Sequence, residues 1–381
     1  MTHDTIGVAI AGTGFGQKIH IPGLQHHHRT EVVSVYHRDP DKAQAIAATH
    51  QIAESASDFN ALLENPAVAA VAISTPPFLH YEMAKQALLA GKHVLLEKPM
   101  TLNGAEAREL YHLAAQKNLV VTPDFEFRFV PAWQCLAEYL QQGFVGEKRL
   151  ITINWLVTSR ANPDRPWNWY ARQDQGGGAL GAVGSHAFDY VHWLFGPVQR
   201  LAGHLSCAIK ERPDPKDGDR LKPVDADDTC LIMLELADGT PCQINITSVS
   251  HHGRGHWVEV YGDRGSLVLG SSNLKDYVHG FTLQAGQAGE ALQPVAIPER
   301  LEFPQTFADG RLAPFIRVVD HWVKAIDRCQ QNQGISEDPV AIAPTLREGV
   351  YSQLLMDLTH QAHTQGRWLT VPDLDTYLDL G

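Results

Sequence analysis

The stretch TIGVAIAGTGFGQKIH, Thr5 to His20, runs from small and β-branched apolar residues straight into Gly12, Gly14 and Gly16. Few local patterns constrain a chain more. They demand a strand buried on both faces, a turn tight enough to need glycine, and a helix whose first N–H groups face an anion. The spacing departs from G-x-G-x-x-G at its third position, where Gln17 stands. On these residues alone a nucleotide-binding turn and a plain tight turn both fit.

The next segments have the same character. EVVSVYHRDPDKA, 31–43, reads as a second buried strand that ends in polar residues before a helix. VAAVAISTPPFLHYEMAKQALLAGKHVLLEKPM, 68–100, holds two more short strands, about Val68–Ser74 and His93–Leu96, around an amphipathic helix. Strand, helix and strand at this spacing imply parallel βαβ units, with ligands beyond the carboxyl ends of the strands. The second strand ends Tyr36-His37-Arg38, without the acid that bonds an NAD ribose. Asp39 before Pro40 has the positions of a helix N-cap and a first-turn proline. Arg38, with Lys42 one turn further on, suits the 2′-phosphate of NADP; the alternative is a solvated surface charge. NADP(H) is favoured over NAD(H).

A chain of 381 residues has room for two domains with cores of their own. Apolar residues at 44% and charged residues at 19% place it among globular chains, and a net charge of −12 argues against nucleic acid as a partner. No apolar run reaches the roughly 18 residues of a membrane span, and MTHDTIG has no signal-peptide pattern. The five cysteines are scattered, with no CxxC pair. The expectation is a cytoplasmic protein without disulfides.

Further along, DTCLIMLELADGTPCQINITSV (228–249) and HWVEVYGDRGSLVLG (256–270) place apolar runs around Asp238-Gly239 and Asp263-Arg264-Gly265, two hairpin signals. PFIRVVDHWVKAIDRC (314–329) and APTLREGVYSQLLMDLTHQAH (343–363) have helical spacing. KERPDPKDGDRLKPV (210–224), charged and Pro-bearing, is expected to be a mobile loop. In GGGALGAVGSHAFDY (176–190), His186 and Asp189 stand three apart and share one helix face. An acid/base catalyst, a metal ligand and a core histidine all fit. His251, His252 and His256 lack the Cys or Glu spacing of a zinc site, and no metal is expected.

AGKHVLLEKPMTLN (90–103) and GGGALGAVGSHAFDYVHWLFG (176–196) resemble the Gfo/Idh/MocA oxidoreductases. STPPFLHYEMAKQAL (74–88), FRFVPAW (127–133), GFVGEKRL (143–150) and VYGDRGSLVL (260–269) extend the resemblance, in the family's order, over almost the whole chain. It implies an α/β protein with an N-terminal Rossmann dinucleotide-binding domain, 1–125. A C-terminal α+β domain, 126–381, would carry substrate binding and oligomerisation on a large, mostly antiparallel open sheet. The implied activity is hydride transfer between a nicotinamide and a hydroxyl or carbonyl carbon of a small sugar-, polyol- or cyclic-type substrate. Lys98 and His186 become the catalytic residues. Cofactor contacts fall on Gly12, Gly14, Phe15, Gly16, Gln17, His37, Arg38, Lys42, Ser74, Thr75, Pro76, His80, Glu97 and Lys98.

The resemblance also puts Arg128, Trp169 and Asp189 on the substrate, with Glu126, Trp167 and Tyr170 nearby. Tyr170 stands where the family has an arginine, for which Arg172 could substitute. The Lys98–Pro99 bond is expected to be cis, and the protein a homodimer or homotetramer. One departure matters. Sugar-dehydrogenase members carry an Asp four residues before the histidine, and here that residue is Ala182. The competing reading is therefore a catalytically inactive, nicotinamide- or sugar-sensing relative.

Overall fold

The computed structural model describes residues 5–273, 278–331 and 343–380. Parts of the two expected domains (1–4, 274–277, 332–342 and 381) lie outside them. The chain forms two compact units, one of Met1–Phe129 with Arg311–Val350 and one of Val130–Gly310 with Tyr351–Gly381.

In the first unit β1 (Ile6–Ala11), β2 (Thr30–Tyr36), β3 (Glu54–Ala56), β4 (Ala70–Ile73), β5 (His93–Leu96) and β6 (Val121–Pro123) make a parallel sheet. Its order is β3-β2-β1-β4-β5-β6, so the winding reverses between β1 and β4 and leaves a ligand crevice beyond their carboxyl ends. Helices α1 (Ile21–His26), α2 (Pro40–His50), α3 (Phe59–Glu64), α4 (His80–Leu89) and α5 (Gly104–Lys117) make the connections. As the sequence predicts, Asp39 caps α2: its side chain accepts from the Lys42 N–H, with Pro40 in the first turn. Asn103 caps α5 in the same way.

Helix Leu312–Gln330, from the segment read as the second domain, groups by its packing with the first unit. Its Phe315, Val318, Val319, Trp322, Val323 and Ile326 form one apolar stripe, and they pack into the same core as Val8, Ile10, Ile19 and Leu95. The sequence pattern shows the helix but not which sheet receives its stripe. This segment groups with the first unit, not the second.

The second unit contains α6 (Pro131–Gln141), β7 (Lys148–Leu156), α7 (Ser185–Phe195), β8 (Val198–Ser206), β9 (Glu211–Asp214) and β10 (Arg220–Pro223). There follow β11 (Thr229–Leu236), β12 (Pro241–Thr247), β13 (Gly255–Gly262), β14 (Gly265–Ser271), β15 (Thr282–Gln287), β16 (Gln293–Pro294) and β17 (Leu369–Thr370). Nine strands form one sheet in the order β16-β15-β14-β13-β7-β12-β11-β8-β17. Neighbours run antiparallel except β7 and β12. Both hairpin turns fall where the sequence predicts them, and Gly239 takes the positive φ (84°) that its turn requires. Along β11 the buried Cys230, Ile232 and Leu234 alternate with exposed Leu231 and Met233.

The expected loop 210–224 is instead an ordered hairpin: β9 pairs β10, closed by a short turn at Pro215–Asp217. Its prolines and charges hide a strand signal because a two-stranded ribbon needs only one buried face. Arg212 and Asp214 supply it, being buried and hydrogen-bonded.

Trp322, fully buried in the first unit, tests that grouping. Trp322→Ala should cost about 3–5 kcal/mol in equilibrium urea unfolding of the first-unit transition. A loss below about 1 kcal/mol would show that the Leu312–Gln330 helix is not part of that core.

Candidate active site

The glycines of the first turn divide their work. A Cβ at Gly12 (φ 114°) would collide with the Ser74 carbonyl, and one at Gly16 with Ser74 Oγ, so both let the turn after β1 pack closely on the residue that follows β4. A Cβ at Gly14 meets no described atom within 4 Å, which leaves backbone open to a ligand. Gly16–His20 then forms a π-turn leading into α1, with no side-chain cap on its N–H groups. Opposite, Ser74 Oγ donates to Gly12 O (3.3 Å), and buried Thr75 Oγ1 has no hydrogen-bond partner among the described residues. An open glycine, uncapped N–H groups and an orphaned hydroxyl at the switch point fit a dinucleotide pyrophosphate.

At the end of β2, Asp39 is committed to capping, and its N–H donates to His37 Nδ1 (3.0 Å). Lys42 Nζ lies 3.8 Å from Asp39 Oδ2. Arg38 is exposed and makes no ion pair among the described residues.

Backbone hydrogen bonds continue past the strand ends, from Asp124 N to Leu96 O (2.9 Å), Glu97 N to Ile73 O (2.9 Å) and Ser74 N to Ala11 O (2.7 Å). They set Ser74, Glu97 and Asp124 in a row along the carboxyl edge of the sheet. Lys98 is half-buried and its bond to Pro99 is cis, as the resemblance implies. His80 holds this region from below, its ring nitrogens 2.9 Å from Pro99 O and 2.7 Å from Thr75 O. Burial lowers its pKa, against the pull of those carbonyls.

Behind the row lies a group that sequence reasoning missed. His20, fully buried, has Nε2 3.0 Å from Glu97 Oε1 and 3.8 Å from Asp124 Oδ2. Burial alone would lower the His20 pKa, but the two carboxylates outweigh it and raise it to about 9. Burial and the neighbouring Glu97 push the Asp124 carboxyl up, toward its protonated form. Glu97 is also desolvated, yet His20 holds it below the usual carboxylate range. The three bring metal-ligand types of atom within 4.8 Å of one another. The short His20–Glu97 contact accounts for them as a hydrogen-bonded ion pair. No spacing rule links these residues; the only signal was a histidine facing inward just past the glycines.

Arg128, also buried, stands in the Glu126–Phe129 turn. It faces Glu348, whose carboxyl is raised by burial but held below its ordinary range by Arg128 and by Thr345, which donates from N (2.7 Å) and Oγ1 (2.6 Å).

In the second unit a π-turn, Leu180–Gly184, precedes α7, and both His186 and Asp189 are buried on that helix. The His186 ring lies 6.3 Å from that of Trp155, and Ser352 Oγ donates to Ser185 O (2.9 Å). Ala182 sits inside the π-turn. Trp169 and Tyr170 form a short turn with ring centroids 5.7 Å apart. Arg172 is tied to Asp174 through two hydrogen bonds, and the cation over Tyr170 is Arg160, 3.7 Å from the ring centroid. Trp167 braces the hairpin, with Nε1 donating to Pro223 O (3.0 Å). His256 is a core residue stacked on Trp155 at 4.0 Å, its pKa pushed down to about 3 by burial; His251 and His252 are exposed.

A switch-point glycine turn on a parallel sheet, joined in one chain to a large mixed-sheet unit, is the architecture of a two-domain dinucleotide-binding protein. Residues 6–125 match the family described as "Oxidoreductase family, NAD-binding Rossmann fold", and 137–371 its "C-terminal alpha/beta domain". The chain belongs to the Gfo/Idh/MocA oxidoreductase family. It is 61% identical over 371 residues to an uncharacterized oxidoreductase of Synechocystis sp., covering 97% of each chain. It is 26% identical over 364 residues to levoglucosan dehydrogenase of Pseudarthrobacter phenanthrenivorans, covering 88% of each. A dTDP-3,4-didehydro-2,6-dideoxy-alpha-D-glucose 3-reductase of Saccharopolyspora spinosa is 31% identical over 69% of this chain and 74% of that one. Among solved structures, levoglucosan dehydrogenase in complex with NADH and L-sorbose superposes with a TM-score of 0.86 at 24% identity, over 97% of this chain and 100% of that one, and shares the fold. Among the described residues no helix is long and apolar enough to cross a membrane.

The buried imidazole leaves a mark on stability. His20 binds its proton more tightly when folded (about 9) than at the ordinary 6.5, so its contribution is complete below about pH 6.5 and is lost as pH rises through about 9. Urea unfolding should show a decline between pH 7 and 9 that His20→Gln lacks. Parallel declines in the two proteins would remove His20 as its source.

Proposed function

We propose that this chain is an NADP(H)-preferring oxidoreductase that interconverts a hydroxyl and a carbonyl on a small sugar-, polyol- or cyclic-type substrate. The observation that carries this reading is Lys98, a half-buried lysine at the carboxyl edge of the sheet whose switch point carries the open glycine. The relatives named as a levoglucosan dehydrogenase and a dTDP-sugar reductase support the substrate class. Gly12, Gly14, Phe15, Gly16, Gln17, Ser74, Thr75, Pro76 and His80 would hold the dinucleotide. Bound there, it would supply the hydride acceptor or donor.

The remaining chemistry falls to side chains. The Lys98 ammonium stabilises negative charge growing on the substrate oxygen. His186 carries the proton, and Asp189 on the same helix orients it or bonds the substrate. Arg128 and Trp169 are the further candidates for substrate contact. Loss of the family's aspartate at Ala182 leaves the proton carrier itself in place. The NADP(H) preference rests on Arg38, an exposed guanidinium at the end of β2 whose neighbouring acid, Asp39, is used as a helix cap. Exposed Leu231 and Met233 on the nine-stranded sheet suit a second copy, in a homodimer or homotetramer.

Equilibrium binding of NADPH and NADH to the cofactor-free protein should favour NADPH, and Arg38→Ala should weaken NADPH about tenfold while sparing NADH. A preference for NADH would overturn the phosphate assignment. Lys98→Met should lower kcat/KM about 100- to 1,000-fold with little change in cofactor affinity. Turnover at the wild-type rate would refute the catalytic role of Lys98.

A further inference from the structure

His20 connects two parts of the first unit that sequence places far apart. It ends the π-turn that starts at Gly16, and its ring stacks on Phe315 (4.6 Å, interplanar angle 16°) and meets Phe15 of the glycine turn edge-on at 5.7 Å. Its Nδ1 has no hydrogen-bond partner among the described residues, so the polar output of the ring goes through Nε2. That nitrogen donates to Glu97 Oε1. The other oxygen of the same carboxylate, Oε2, accepts the Lys98 backbone N–H at 3.2 Å.

We propose that His20 is a positioning residue: held by the glycine turn and Phe315, it fixes the Glu97 carboxylate, and through it the backbone from which Lys98 projects. The role of Lys98 rests on the function proposed above; the mechanical link does not. Glu97 is thereby a support for the turn, with both oxygens already engaged, more than a contact offered to the cofactor. The charged and titratable groups facing His20 are Glu97 and Asp124, and those facing Glu97 are His20, Lys98 and Asp124. Asp124 contributes the second carboxylate that keeps the imidazole protonated. A purely structural pair would stabilise the unit without localising its effect at Lys98.

The test compares His20→Phe, which keeps an aromatic ring against Phe315 but cannot donate, with His20→Gln, whose amide reaches the Nε2 position. Amide hydrogen exchange is followed by mass spectrometry on peptides spanning Leu95–Met100. His20→Phe should speed exchange at Lys98 about tenfold while β1 and β4 peptides keep wild-type protection, and His20→Gln should restore most of it. Wild-type exchange in His20→Phe, or equal acceleration in all strands of the sheet, would overturn the proposal. Should His20→Phe not fold, His20→Asn, whose amide falls short of Glu97, is read by the same criteria. With a substrate the wild type turns over, His20→Phe should lower kcat about tenfold or more with KM changed less than about threefold. An unchanged kcat counts against positioning. A wild type that turns over nothing defeats the proposed function instead, and exchange alone then decides the role of His20.

Discussion

A buried imidazole facing two buried carboxylates is the interaction on which the first unit's functional edge depends. Taking these groups out of water costs several kcal/mol for each one that stays charged, and attraction offsets that only where geometry is held closely. Here the geometry is supplied three times over. His20 comes from the helix after the glycine turn, Glu97 from the end of β5 and Asp124 from the end of β6. Displacing His20 or Glu97 leaves an unpaired charge in a dry interior, so the helix start and the two strand ends behave as one. Burial and Glu97 raise the pKa of Asp124, which lessens the cost of holding a second carboxylate there.

The sheet extends that constraint to the cofactor side. The backbone ladder from Asp124 through Leu96, Glu97 and Ile73 to Ser74 and Ala11 runs across the carboxyl edge without a break. Gly12 and Gly16 close the same edge by letting Ser74 approach where a side chain would collide. The Leu312–Gln330 helix completes it from a distant part of the sequence, its apolar stripe ending in Phe315 against His20. Hydrophobic burial thus fixes the ring, the ring fixes a carboxylate, and the carboxylate fixes a turn.

Much of this was legible in the sequence where the determinants are local. The strand-to-glycine run, the Asp39-Pro40 helix start and the two Asp/Gly hairpins all fold where their short-range chemistry places them. Long-range partners were not legible. His20 lies 77 positions from Glu97, and the π-turn adds a residue to the helical repeat, so a 3.6-residue period misjudges which side chains face inward. Arg172 looked available to replace an arginine at Tyr170, but Asp174 two residues on captures it, and Arg160 reaches the ring from another loop. The sheet that receives helix Leu312–Gln330 is decided by shape complementarity between surfaces, which an apolar stripe does not encode.

The distribution of unsatisfied polar atoms argues that the carboxyl edge is held for function rather than for stability. Thr75 Oγ1, His20 Nδ1 and both Asp124 oxygens are buried there without a hydrogen bond among the described residues. Each such atom costs about 1–3 kcal/mol, and apolar residues of similar size would remove the cost. A valine at 75 would pack as well as threonine, and a leucine at 124 would spare a desolvated carboxyl. The leucine would also weaken the reason for His20 to stay protonated, and with it the charge on Glu97 beside Lys98. Polarity that lowers stability while holding a carboxylate in place next to a lysine belongs to a site whose geometry matters more than its contribution to folding.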